Sequence, residues 1–143
     1  MLDRESSLEH FRSLGANPVQ REINGTLILR MQLCNRKVGD EDLRHLRALP
    51  HLEVIGLENT QVTDQGLEYL RGLTLLENVD LTNTSITDAG LEVLAAIPTL
   101  EFIHVEGTRV TPEGIAKLQL ALPKCEIVWD EDDDDNPQAS CPV

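Results

Sequence analysis

Asp80 and His104 are the residues of this chain whose types best suit chemistry, and they stand 24 positions apart. An acid that orients a histidine is part of many hydrolytic sites, but it needs a nucleophile or a metal ion beside it. The nearest hydroxyl belongs to Thr82, which has no activating motif around it. The histidines also lack the spacing of helical metal ligands. The sequence therefore predicts no enzyme, no metal site and no cofactor.

A Thr-Asp pair beside a glycine is the second candidate for chemistry. It occurs in VTDQGLEYL at 62–70, in ITDAGLEVL at 86–94 and, as VTPEGIAKL, at 110–118. Repeated carboxylates could bind a metal or transfer protons, but the third copy has Pro112 in place of the aspartate. Proline is favoured at the first helical position. The Thr-Asp-x-Gly motif therefore predicts the start of a helix. Threonine is the N-cap, aspartate lies in the first turn where its charge suits the helix dipole, and glycine allows close packing on neighbouring backbone.

A repeat of 24 residues must position all of these side chains. Six apolar columns recur at this step across four copies without a gap. A repeat of this length indicates a solenoid, in which each unit buries its apolar face only against its neighbours. The columns begin at Ile28, Met31, Leu33, Val38, Leu43 and Leu46.

The second copy, LEVIGLENTQVTDQGLEYLRGLTL, fits the pattern L-x-x-L-x-L-x-x-T-x-V-T-D-x-G-L-x-x-L-x-x-L. Here the chain resembles the leucine-rich repeat family, above all its bacterial 24-residue type, and is similar to the cysteine-containing repeats of F-box proteins. The resemblance covers about 28–123. It implies an α/β fold, a leucine-rich repeat solenoid or horseshoe arc with a concave parallel β-sheet and convex helices. The ninth position, Thr60 in this copy, is expected to satisfy backbone groups at the turn.

Both ends of the solenoid need covers. Residues 1–27 are predicted to form an N-terminal cap, with a helix that begins at the capping-box spacing of Ser6–Glu9 and a β-hairpin turning at Asn24-Gly25. Four repeats occupy 28–123, and a C-terminal capping strand occupies 124–130. The acidic segment 131–143 is predicted to be a disordered tail.

The outward positions of the strands are the usual binding surface on this fold, as the resemblance implies. Stacked Glu53, Glu77 and Glu101 lie beside them and favour a basic protein partner. The predicted function is therefore a non-catalytic protein-binding module. Two alternatives stay open, merely solvated polar positions and a structural or spacer domain of a larger multidomain protein. The predicted protein-binding residues on the concave face are Glu58, Asn78, Asp80, Thr82, Phe102, His104 and Glu106.

The formal net charge of −13 argues against nucleic-acid binding and against attraction to anionic membranes. The three cysteines are odd in number and lack CxxC spacing, which favours a reduced intracellular protein. With no apolar leader at the N-terminus and no membrane-length apolar stretch, the chain is expected to be cytoplasmic. Charges after the last strand discourage edge pairing, so a monomer is expected.

Overall fold

Each repeat folds as a short strand, a turn and a helical segment, in the computed structural model that describes residues 3–130. Six strands form one sheet in the order of the sequence. The elements are α1 (Arg4–Ser13), β1 (Val19–Ile23), β2 (Thr26–Gln32), a 3₁₀ helix (Asp40–Ala48), β3 (Leu52–Gly56), α2 (Asp64–Leu67) continuing as a 3₁₀ turn (Glu68–Leu70), β4 (Asn78–Asp80), α3 (Asp88–Ala95), β5 (Phe102–His104), α4 (Pro112–Ala121) and β6 (Glu126–Val128).

The strands β2 to β6 are parallel and pair almost throughout at the 24-residue step seen in the sequence. Ile55 pairs with Val79, and Val79 pairs with Ile103. The register changes once, between β2 and β3, where Leu29 rather than Ile28 lies opposite Leu52. The prediction of a leucine-rich repeat solenoid is confirmed, and Ile28 is the one place where the predicted column is off by a residue.

The predicted apolar columns form the core. Ile55, Leu57, Val62, Leu67 and Leu70 of the second copy are all fully buried. Their counterparts in the neighbouring copies belong to the same continuous cluster. Burying one such side chain is worth about 2 kcal/mol, so the stacking of repeats, rather than any single repeat, supplies the stability.

The aspartate of the Thr-Asp phrase bonds across repeats, which the sequence did not predict. Asp64 accepts hydrogen bonds from the backbone N–H of Thr87 at 2.8 Å and from its hydroxyl at 2.6 Å. The bonds recur one repeat earlier, from Thr63 to Asp40, and one repeat later, from Thr111 to Asp88. We call this row of bonds the aspartate ladder. Each carboxylate holds the threonine that caps the helix of the next repeat.

The glycine of the same phrase leaves room for this carboxylate. A Cβ at Gly90 would lie 2.5 Å from Asp64 Oδ1 and 2.9 Å from Leu67 Cδ1. The expected close packing is therefore confirmed, but the neighbour is chiefly a carboxylate of the preceding repeat rather than its backbone. The predicted N-caps are correct, since Thr87 accepts a hydrogen bond from the N–H of Ala89.

A second row joins the turns after the strands. Asn59 donates to Asn35 at 2.7 Å, and Asn83 donates to Asn59 at 3.0 Å. All three adopt positive φ, a conformation that asparagine tolerates better than most residues. Next to them Thr60 donates to the carbonyl of Leu57 at 2.7 Å, so the predicted role of the ninth position is confirmed.

The N-terminal segment pairs antiparallel with the repeats through β1 and β2, joined at the predicted Asn24-Gly25 turn. The helix α1 begins earlier than predicted. Its N-cap is Asp3, which accepts from the N–H of Ser6, so the predicted capping box at Ser6 is wrong. The predicted acidic tail lies outside the described residues. None of the helices in residues 3–130 is long and apolar enough to cross a membrane.

The cysteines differ from the expectation. Cys125 is a free thiol, and its burial raises its pKa to about 11. Cys34 is disulfide-bonded, so the prediction of a reduced protein is wrong at this residue. The thiol argument therefore no longer supports the predicted cytoplasmic location.

Candidate functional site

The sheet brings the seven predicted binding residues onto one face, near the ends of β3, β4 and β5. Asp80 lies opposite His104 in the strand register. Beyond the strands, backbone bonds from Asn59 to the carbonyl of Thr82 and from Asn83 to that of Glu106 continue the alignment. We call this surface the polar face, comprising Glu58, Asn78, Asp80, Thr82, Phe102, His104 and Glu106.

Three carboxylates surround Thr82 on the polar face. Glu58 and Glu106 occupy its position in the preceding and following repeats, and Asp80 accepts hydrogen bonds from the Thr82 backbone N–H at 3.1 Å and hydroxyl at 2.7 Å. Exposure is uneven, since Glu58 and Thr82 are only 4% and 3% exposed although both were predicted to be outward surface positions. The expectation that these two side chains are open to solvent is therefore wrong.

Glu58 is held in an unfavourable place for a negative charge. Burial raises the pKa of its carboxyl, and Asp80 and Glu106 raise it further, against a smaller opposing effect of His104. The site therefore concentrates negative potential, and a cation placed there would relieve it.

Phe102 provides an apolar contact beside these charges. It is 41% exposed, and its neighbours in register are Asn78 and Glu126. An exposed aromatic ring among polar neighbours is the kind of residue that anchors protein interfaces.

The repeated strand and helix of this chain have counterparts in known proteins. A family model described as Leucine Rich repeat matches residues 72–95, a stretch of one repeat length that contains β4 and α3. Residues 72–95 therefore match a leucine-rich repeat, and the parallel strands and helices of the chain have the leucine-rich repeat fold. Among solved structures the chain is similar to the leucine-rich repeat ectodomain of the receptor kinase SOBIR1 from Arabidopsis thaliana, at 14% identity over 90% of this chain and 94% of that chain, with a TM-score of 0.45. Among curated proteins, none matches its sequence.

Asp80 and His104 bond to other residues and not to each other. Asp80 bonds to Thr82, whereas the nearest carboxylate to the His104 ring is Glu106, at 3.7 Å. The threonine hydroxyl therefore donates to a carboxylate and not to the histidine. Within residues 3–130 no group of three acidic, histidine or cysteine side chains could hold a metal ion. Leucine-rich repeat proteins are typically non-enzymatic.

Glu53, Glu77 and Glu101 stand at the second position of successive repeats, and arginines partly neutralise their charge. Glu53 pairs with Arg30 at 2.9 Å and lies 3.9 Å from Arg21. Burial and the charges of Glu101 and Glu53 raise the pKa of Glu77, and Arg30 acts in the opposite direction. The stacked glutamates therefore repel one another, and Arg21 of β1 and Arg30 of β2 offset the charge at Glu53.

A histidine cluster lies between α1 and the 3₁₀ helix, and the sequence alone does not reveal it. The rings of His10 and His45 stack at 4.0 Å between centroids. His10 contacts Asp42 at 2.8 Å, and the Nδ1 of His45 lies 3.3 Å from the hydroxyl of Ser7. His45 is buried, and its neighbours in sequence gave no periodic signal that would separate it from an exposed residue.

This cluster predicts acid sensitivity. Burial lowers the pKa of His45, and the nearby charges of His10 and Arg44 lower it further, against the opposing effect of Asp42. In the unfolded chain the residue takes up a proton near its ordinary pKa of 6.5, which the folded state resists. The stability that neutral His45 provides is therefore present above that pH and is lost as the pH falls below it.

The expected result is that His45→Gln flattens the fall in melting temperature between about pH 7.5 and about pH 5.5. Differential scanning calorimetry of wild type and variant would measure it. His51→Gln serves as the control, because it removes a histidine outside the cluster and should keep the wild-type slope. Equal slopes in wild type and His45→Gln would contradict this account.

Proposed function

We propose that this leucine-rich repeat chain is a non-catalytic protein-binding module that engages its partner through the polar face, the side of the sheet predicted to be concave. The leucine-rich repeat fold is commonly a protein–protein interaction module, which supports the proposal in general terms. The observation that carries it is Phe102, an exposed aromatic side chain in register with two polar residues on a sheet whose other face is buried.

The partner we propose is basic. Glu58, Asp80 and Glu106 concentrate negative charge on the polar face, and the chain as a whole is acidic, at −13. Such a field steers a Lys/Arg-rich partner towards the face and discourages acidic partners. The same charge supports binding to protein rather than to nucleic acid or anionic membranes. We propose that the module acts as a monomer.

The test combines Asp80→Lys, Phe102→Ala and His104→Ala in one protein. A partner is first isolated by affinity capture on the wild-type chain, and its affinity for each variant is then measured by calorimetry. The triple variant is expected to weaken binding by about 100-fold, because it reverses a charge and removes the aromatic anchor.

The matched control is Glu92→Lys with Leu120→Ala on the helical layer, where both residues are exposed. It makes the same charge reversal and also removes an exposed apolar side chain, and it should bind like the wild type. If the polar-face variant keeps a native circular dichroism spectrum and full affinity, the proposed binding face is wrong and the spacer-domain alternative gains.

A further inference from the structure

The Glu58 carboxylate has no hydrogen-bond donor among residues 3–130, although the residue is only 4% exposed. Buried carboxylates in folded proteins are normally paired or hydrogen-bonded, because the unpaired charge is costly. In the same part of the chain no side-chain oxygen is both sealed from solvent and unpartnered. The oxygens of Glu58 therefore keep some contact with solvent.

The surroundings of Glu58 are arranged around Thr82. Glu106 stands on the far side of this threonine in the same row, and Asp80 is bonded to its hydroxyl at 2.7 Å. Three carboxylates thus border one position of the sheet, and the His104 ring lies near them.

We propose that Glu58, Asp80 and Glu106 form a recognition pocket for the ammonium group of a partner's lysine side chain. A lysine ammonium is a compact charge with three donors at the end of a slender stem, which suits a site bordered by three carboxylates. A guanidinium is planar and is best matched by one carboxylate held in a fork. This pocket rests on the proposed function, of which it names the partner's chemistry.

The probe is octalysine with blocked termini, and calorimetry measures its binding to the whole chain. Glu58→Gln is expected to weaken binding about fivefold, because it removes one charge-assisted hydrogen bond. Glu92→Gln on α3 is the matched control, since it removes the same charge from an exposed position on the helical layer. It should change the affinity less than twofold, roughly the effect of one screened surface charge. Equal losses in the two variants would mean diffuse attraction and would overturn the pocket.

Three further readouts make the result decisive. Glu58→Gln should keep or raise the melting temperature at neutral pH, because burial opposes the charge that it removes. On saturation with octalysine, carbon NMR should show the pKa of Glu58 falling, as expected for a carboxylate that gains a cation. An unchanged Glu58 pKa would overturn the proposal. Equal dependence of octaarginine binding on Glu58 would overturn the assignment to lysine.

The failure of this pocket is distinguishable from failure of the proposed function. If Phe102→Ala weakens a captured partner while Glu58→Gln leaves octalysine binding unchanged, the polar face binds a protein and the pocket is wrong. If octalysine binding depends on Glu58 while the captured partner ignores the polar-face substitutions, the pocket stands and the proposed partner site is wrong.

Discussion

Asp64→Ala is expected to lower the free energy of unfolding by about 3 kcal/mol, because the Asp64 carboxylate accepts two charge-assisted hydrogen bonds that the variant loses. The variant leaves the backbone N–H of Thr87, which Asp64 accepts at 2.8 Å, without its acceptor. It also removes an acidic side chain from the first turn of α2, where negative charge is favourable. Urea denaturation followed by circular dichroism measures the change.

The control for Asp64→Ala is Glu92→Ala, which also removes a helical acid but at an exposed position. Its expected effect is within about 0.5 kcal/mol of wild type, as for most surface substitutions. If the two variants lose equal stability, the inter-repeat bonds of Asp64 contribute nothing beyond a surface charge. The aspartate ladder would then have to be abandoned as an explanation of the repeated phrase.

Gly90→Ala is expected to destabilise the protein by about 2 kcal/mol, although alanine is the better helix former by about 1 kcal/mol. The added methyl group would lie 2.5 Å from Asp64 Oδ1 and 2.9 Å from Leu67 Cδ1. Relieving both overlaps displaces the Asp64 carboxylate or moves α3 away from α2, and either change disturbs the bonds between Asp64 and Thr87. Chemical denaturation again measures the effect.

A double-mutant cycle separates the two causes. In the Asp64→Ala background the carboxylate is gone, so Gly90→Ala should be markedly less harmful there than in the wild type. The control is Gly25→Ala in the hairpin turn, where no side chain lies near but the positive φ of 81° makes the substitution costly in either background. A stabilising effect of Gly90→Ala in the wild-type background would contradict the packing explanation.

The repeat could be predicted from the sequence because each apolar column must be buried in every copy. The 24-residue step therefore predicted the parallel register, and it failed only at Ile28, where a bulge that depends on pairing geometry shifts the strand. Pro112 correctly indicated a helix start. The aspartate that it replaces has a further role that only the structure reveals, since it bonds to a threonine 23 residues later.

The bond from each aspartate to the next repeat also explains why proline replaces the aspartate at position 112. Asp40, Asp64 and Asp88 each have a threonine 23 positions later in the sequence, whereas the residue 23 positions after Pro112 is Asp135. Proline therefore appears where the sequence has no further threonine for the ladder. A single repeat read in isolation cannot show this, because donor and acceptor lie in different copies.

The candidate site was predicted less completely. The alternation of strand residues correctly placed Asp80, Phe102 and His104 on the polar face. It could not show that Asp80 bonds to Thr82 rather than His104, because that depends on side-chain rotamers. It also could not show that Glu58 is buried, since alternation along one strand gives the direction of a side chain and not its solvent exposure.

The central claim is that the aspartate ladder stabilises the fold and the polar face binds the partner. The most direct test compares Asp64→Asn with Phe102→Ala in melting temperature and in affinity for the same captured partner. We predict that Asp64→Asn lowers the melting temperature and leaves the affinity within about twofold, because the ladder only holds repeats together. Phe102→Ala should keep the melting temperature and weaken binding at least about tenfold. A loss of affinity in Asp64→Asn, with unchanged binding by Phe102→Ala, would contradict the account.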